Sequence, residues 1–183
     1  MVIAFKELAG LPATGPMAIA FPSAWVGREG KVVEFHAAAG PWVGNFKPGL
    51  GGIDAVCACP DGKHCLVIAA GDAWIVDVGR READVILPAV DALLEVPGSS
   101  DLILSRQGLA LVRLDGSRVV WHSRRISWDG FDDLRIEGAR IVGQAFDPMT
   151  ESWVPFVVDL RTGASEGGSY PIDLGDSWEQ LGG

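Results

Sequence analysis

Glycine and proline interrupt this chain at almost one residue in five, with 24 Gly and 11 Pro among 183 residues. That density leaves little room for long helices and predicts many short strands closed by turns. The β-favouring runs bear this out along the sequence: 17–21, 31–35, 54–59, 64–70, 73–78, 83–87, 91–96, 101–105, 109–114, 117–122, 140–146 and 153–160. Between them stand Pro60-Asp61-Gly62, Ala70-Gly71-Asp72, Pro97-Gly98, Asp115-Gly116 and Thr162-Gly163, turn chemistry that tolerates positive φ. The expectation is one all-β domain over residues 1–183, a meander with an irregular tail after about residue 168 that Trp178 would pin to the body. Residues 85–95 are long enough for a helix, but Pro88 and the opening Val-Ile argue against one.

Composition narrows the function classes. The chain is 48% hydrophobic and 21% charged, which excludes intrinsic disorder. No apolar run approaches the ~18 residues of a membrane-spanning helix, so no membrane role is expected. Fifteen basic against 24 acidic residues give a net charge of -9, the wrong sign for holding a phosphate backbone, so a nucleic-acid partner is not expected either. Acidity serves solubility and would steer a basic protein to the surface. Lys6 stands behind a short apolar stretch, the reverse of a secretory signal, and three cysteines are an odd number; both point to a cytoplasmic protein.

The sequence also repeats itself. Val56-Cys-Ala-Cys-Pro60 followed by Leu66-Val-Ile and Trp74-Ile-Val-Asp77 has a counterpart in Leu93-Leu-Glu-Val-Pro97, Leu102-Ile-Leu and Leu109-Ala-Leu-Val-Arg-Leu114. A partial copy runs from Val142 to Asp159, and a degenerate one from Phe21 to Phe35, which aligns Glu34, Asp77, Arg113 and Asp159. Within the third copy, Phe156-Val-Val-Asp-Leu-Arg-Thr-Gly163 resembles the strand-and-turn signature of quinoprotein-like β-propeller blades, and Trp74 to Val78 is a weaker version without Thr-Gly. The resemblance implies a propeller-like array of about four short antiparallel blades of about 46 residues each, near the ~40 to 50 residues of one blade. A β-sandwich or a barrel meander gives the same turn spacing.

Four motifs carry possible chemistry. Gly163-Ala-Ser165-Glu-Gly167 matches the G-x-S-x-G nucleophile elbow in letters, but Gly-Gly-Ser-Tyr-Pro follows where a helix is needed, and His36, His64 and His122 all lie upstream of the Ser. Cys57, Cys59 and His64 would share one face of a hairpin, with Cys65 on the other; three ligands without a second knuckle favour packed cysteines over a metal site. Lys47-Pro-Gly-Leu-Gly-Gly52 fits neither phosphate-binding pattern and is expected to be a loop. No cofactor is implied.

The densest segment is Trp121-His-Ser-Arg-Arg-Ile-Ser-Trp128-Asp-Gly-Phe-Asp-Asp133, where Trp121, His122, Arg124, Arg125, Trp128 and Asp129, followed by Asp132 and Asp133, combine aromatic anchors, cationic forks and acceptors. It is the candidate binding surface of a non-enzymatic interaction module, with a protein partner favoured over a small molecule; one specific form is an immunity-type protein that blocks a toxin. On that reading, Ala at Arg124 and Arg125 lowers binding and leaves the melting temperature nearly unchanged, whereas unfolding would assign the pair to structure. The alternative is a small-molecule binder or an enzyme with its site at a central channel, which would gather the histidines around a carboxylate.

Overall fold

The computed structural model describes residues 3–172, so Trp178 lies outside the described residues. The described chain is all-β, with four sheets of four strands, and it forms two compact units that divide after Asp91.

The first unit holds two sheets. In one, β1 (Ala4–Leu8), β3 (Lys31–Ala37), β4 (Gly40–Phe46) and β2 (Ile19–Phe21) lie in the order β1-β3-β4-β2, antiparallel except for the β2/β4 pair. The other is a plain meander of β5 (Ala55–Ala58), β6 (His64–Ala69), β7 (Asp72–Asp77) and β8 (Glu82–Leu87). Apolar side chains of both sheets fill one core: Phe35, Trp42 and Phe46 from the first meet Cys65, Val67, Trp74 and Val76 from the second. Phe35 and Trp42 stand 4.7 Å apart between ring centroids, and Phe21 stacks on Phe46 at 5.2 Å. Full burial of each such side chain is worth about 1.5–3 kcal/mol, so this cluster is what holds the unit together. Gly44 is required by the packing, because a Cβ there would lie 2.7 Å from the Phe46 ring. Beside it, buried Asn45 satisfies both ends of its amide, donating to the Arg28 carbonyl at 2.7 Å and accepting from the Gly30 N–H at 2.9 Å.

The second unit repeats the plan. β9 (Val90–Glu95), β10 (Leu102–Arg106), β11 (Ala110–Asp115) and β12 (Arg118–His122) form one meander, and β13 (Phe131–Glu137), β14 (Arg140–Asp147), β15 (Ser152–Asp159) and β16 (Ser165–Gly167) form the other. Ile103, Leu111 and Trp121 meet Ile141, Ala145, Phe156 and Val158 in its core.

Both units join their sheets with the same device. Trp42 on β4 donates its indole N–H to the Val78 carbonyl at 3.1 Å, and Trp121 on β12 donates to the Leu160 carbonyl at 3.1 Å. Each acceptor follows the Asp that ends a third strand. Those aspartates build the next turn: the Asp77 carboxylate takes the Arg80 N–H, while the Asp159 carboxylate takes the N–H groups of Arg161 and Thr162 and the Thr162 hydroxyl. The chain then passes through positive φ, at Arg81 (62°) and Gly163 (75°). Asp-Leu-Arg-Thr-Gly163 is therefore a turn signature with a physical cause. Its glycine is also needed for space, since a Cβ at Gly163 would lie 2.8 Å from the Trp121 ring. The third strand of the β9–β12 sheet ends at Asp115, two residues beyond the Arg113 that the sequence repeat aligns with Asp77 and Asp159. Arg113 instead bonds Asp101 through Nε at 2.9 Å and through Nη2, and the Leu160 carbonyl through Nη1 at 2.8 Å.

All twelve runs read as strands contain strands, and among the described residues there are four further ones: β1, β4, β13 and β16. Residues 85–95 form the end of β8 and all of β9, separated by Pro88 and by Ala89 at φ 57°. The loop 47–52 is sewn down: Gly49 and Gly51 donate to the carbonyls of Ala69 and Ala70, and Ile53 just beyond it donates to Val90. Those N–H groups are committed to the fold and do not face a phosphate.

Candidate interaction site

The segment 123–130 connects β12 to β13, and hydrogen bonds from Ser123, Ile126, Ser127, Trp128 and Asp129 hold its backbone. Ser123 donates its N–H to the Leu111 carbonyl, and its hydroxyl accepts the Leu111 N–H at 2.9 Å. Ile126 is fully buried and donates to the Leu109 carbonyl. The buried Ser127 hydroxyl donates to the Gly130 carbonyl at 2.7 Å and accepts the Asp129 N–H at 3.2 Å, closing a tight loop that leaves the Asp129 side chain exposed.

Onto this connector the chain lays residues 167–170. Tyr170 donates its N–H to the Ile126 carbonyl, Trp128 donates its N–H to the Ser169 hydroxyl at 3.1 Å, and that hydroxyl donates to the Phe146 carbonyl at 2.7 Å. The two arginines complete the join. Arg124 donates to the carbonyls of Arg125 (2.7 Å), Tyr170 (3.2 Å) and Gly167 (2.7 Å). Arg125 donates to the carbonyls of Ser127 (2.9 Å) and Trp128 (3.0 Å), and its guanidinium carbon sits 5.1 Å from the Trp128 ring centre and 4.5 Å from that of Tyr170. The two rings meet edge-on at 4.5 Å.

The six residues read from the sequence therefore divide. Arg124, Arg125, Trp128 and Asp129 belong to one assembly, which Tyr170 completes. Trp121 is a core residue whose indole serves the Leu160 carbonyl. His122, the next residue on the strand, points to the other face; solvent reaches it, yet burial of its ring, helped by the Arg106 guanidinium, lowers its pKa. Because the guanidinium groups are spent on backbone carbonyls, Ala at Arg124 and Arg125 would loosen the fold, and the expectation of an unchanged melting temperature is replaced. Tyr170, the only tyrosine, was missed because it lies in the stretch read as irregular tail.

The other motifs resolve into structure. Cys59 and Cys65 are buried, and burial pushes the Cys59 thiol up to about 12 and the Cys65 thiol higher than its ordinary value, so both are protonated at neutral pH. Cys65 lies in the core and donates its S–H to the Cys57 carbonyl at 3.2 Å. Cys59 donates its N–H to the His64 carbonyl, as the hairpin register requires, but the His64 ring turns to Asp61, Nδ1 to Oδ2 at 2.6 Å. Among the described residues no group of three or more His, Cys, Asp or Glu side chains is placed to hold a metal ion. Ser165 lies on β16 opposite Val158, its hydroxyl buried and without a partner, and β16 pairs with β15 instead of leading into a helix. His36 pairs with Glu34 at 3.0 Å on β3, away from the His64 pair on β6.

No protein-family model matches the chain, and no curated protein matches its sequence.

Proposed function

We propose that this chain is a non-enzymatic protein-interaction module, its specific form an immunity-type protein, in which the four sheets serve as the blades of a propeller-like array. The observation that carries the reading is the Arg125–Trp128–Tyr170 stack with Asp129 exposed beside it. Aromatic and arginine side chains supply most of the binding energy of protein interfaces, and a surface already immobilised by its own hydrogen bonds loses little entropy when a partner docks. The Asp-Leu-Arg-Thr-Gly163 turn and the repeated four-stranded sheets support the propeller-like arrangement. The net charge of -9 favours a basic partner. His36 and His64 lie on separate sheets, each beside its own carboxylate and not gathered around a shared one, which favours recognition over the channel-site reading for the first unit.

The test is affinity capture from the source cells with the wild-type chain, Asp129→Lys and Trp128→Ala. Asp129→Lys changes only an exposed side chain, so it should hold its melting temperature within about 2 °C while losing the captured protein. An identical set of captured proteins for all three chains would overturn the reading.

A further inference from the structure

The longest strands of the described chain, β14 and β15, have eight residues each and outrun their neighbours. Pairing of β13 with β14 stops at Ala145, and pairing of β16 with β15 stops at Phe156, so residues 146–153 form a two-stranded end beyond both flanking ladders. This end carries large apolar side chains in water: Met149 is 85% exposed and Trp153 47%, with Trp153 packed across the hairpin against Phe146 at 5.1 Å.

The tip nonetheless has its own hydrogen-bonded turn. The Asp147 carboxylate accepts the Met149 N–H at 2.9 Å and the Thr150 hydroxyl at 2.9 Å, and the Thr150 and Ser152 hydroxyls lie 2.8 Å apart. The apolar groups are thus held out by a built turn. The charged residues of the tip itself are Asp147 and Glu151, and no Lys, Arg or His lies between Arg140 and Arg161; Asp159 stands opposite Arg140 at the far end of the two strands, so the tip is acidic. The base of the hairpin is continuous with the Arg125–Trp128–Tyr170 surface, because Phe146 donates its N–H to the Gly130 carbonyl and its carbonyl accepts the Ser169 hydroxyl.

We infer that the hairpin end 146–153 is the inserting part of that recognition surface: Met149 and Trp153 enter an apolar cleft on a partner protein whose rim is basic. Met and Trp are adaptable and large anchors, and acidic flanks set the charge of a rim that can approach them. The inference rests on the interaction-module reading and names its partner's chemistry.

The experiment places a photo-crosslinking benzophenone amino acid at Met149 in the full chain, expressed in the source cells, with matching chains labelled at Asp129 and at Arg118, whose side chain is 83% exposed on β12. Adducts are identified by mass spectrometry. The expected result is one dominant adduct from position 149 with a protein of net positive charge, absent from position 118. Its yield should fall about tenfold with Trp153→Ser, the loss given by truncating a central anchor, and fall again with added salt and with Glu151→Lys. Met149→Ser, in a turn whose hydrogen bonds come from other side chains, serves as the variant that keeps the fold, checked by its melting curve. An adduct from 129 with none from 149 would overturn the hairpin and leave the module standing. Adducts from neither position would overturn both. A dominant adduct with an acidic protein or with a second copy of this chain would overturn the stated partner.

Discussion

Arg124 shows how a side chain chosen for recognition on chemical grounds can be consumed by the fold. Two of its three carbonyl bonds, to Gly167 and Tyr170, tie residues 123–130 to residues 167–170, and removing the guanidinium leaves three carbonyl acceptors that only water can satisfy. Arg124→Ala should therefore destabilise the chain by about 2–4 kcal/mol, and Arg125→Ala, which removes two carbonyl bonds and the contact with two rings, by about 1–2 kcal/mol. Denaturant melts of the two variants check both values. Asp61 makes a pH prediction. Burial alone would raise its pKa, but the His64 ring and the N–H groups of Lys63 and His64 overcome this and bring it down to about 2. A carboxyl with a folded pKa below its unfolded value near 3.8 contributes stability above about pH 4 that is lost as pH falls toward 2. Asp61→Asn should flatten the stability profile over that window. For His122 the sign is the reverse of the usual histidine case: burial and Arg106 disfavour its charged form in the folded state, so stability falls as pH drops below 6.5, and His122→Gln should remove that part of the profile.

At the level of elements, the turn after β15 gives a matched pair of glycine tests. Gly163 at φ 75° faces the Trp121 ring, whereas Gly130 at φ 94° faces open space. Gly130→Ala should cost about 1–2 kcal/mol from backbone strain alone, and Gly163→Ala clearly more, because the ring that donates to Leu160 must also move. Equal losses in the two melts would contradict the role given to Trp121. The same elements show what could be read in advance. Runs such as 64–70 and 153–160 announced strands through β-branched residues between Gly or Asp turns, and Pro88 broke the one candidate helix. The four missed strands each hide that signal: β4 carries Pro41 and Gly44, β13 contains a bulge with Asp133 at φ 50°, β1 has the adjacent charges Lys6 and Glu7 among only five residues, and β16 has three residues that fall within the letters of a catalytic motif. The clustering of Trp, Arg and Asp at 121–129 was legible, but its use was not, because Arg124 bonds Gly167 and Tyr170 across 43 and 46 residues of sequence. Such partners are set by sheet pairing, not by local pattern.

For the molecule as a whole, the proposed function makes the connector 123–130, the segment 167–170 and the hairpin end 146–153 one preorganised surface for a basic protein. Native mass spectrometry of the full chain isolated from its own cells, compared with the same sample denatured, tests this most directly. The account predicts the 19.4 kDa chain together with a basic protein that is lost from both Asp129→Lys and Met149→Ser. A chain that instead carries a retained metal ion or small molecule, with no protein partner, would contradict it.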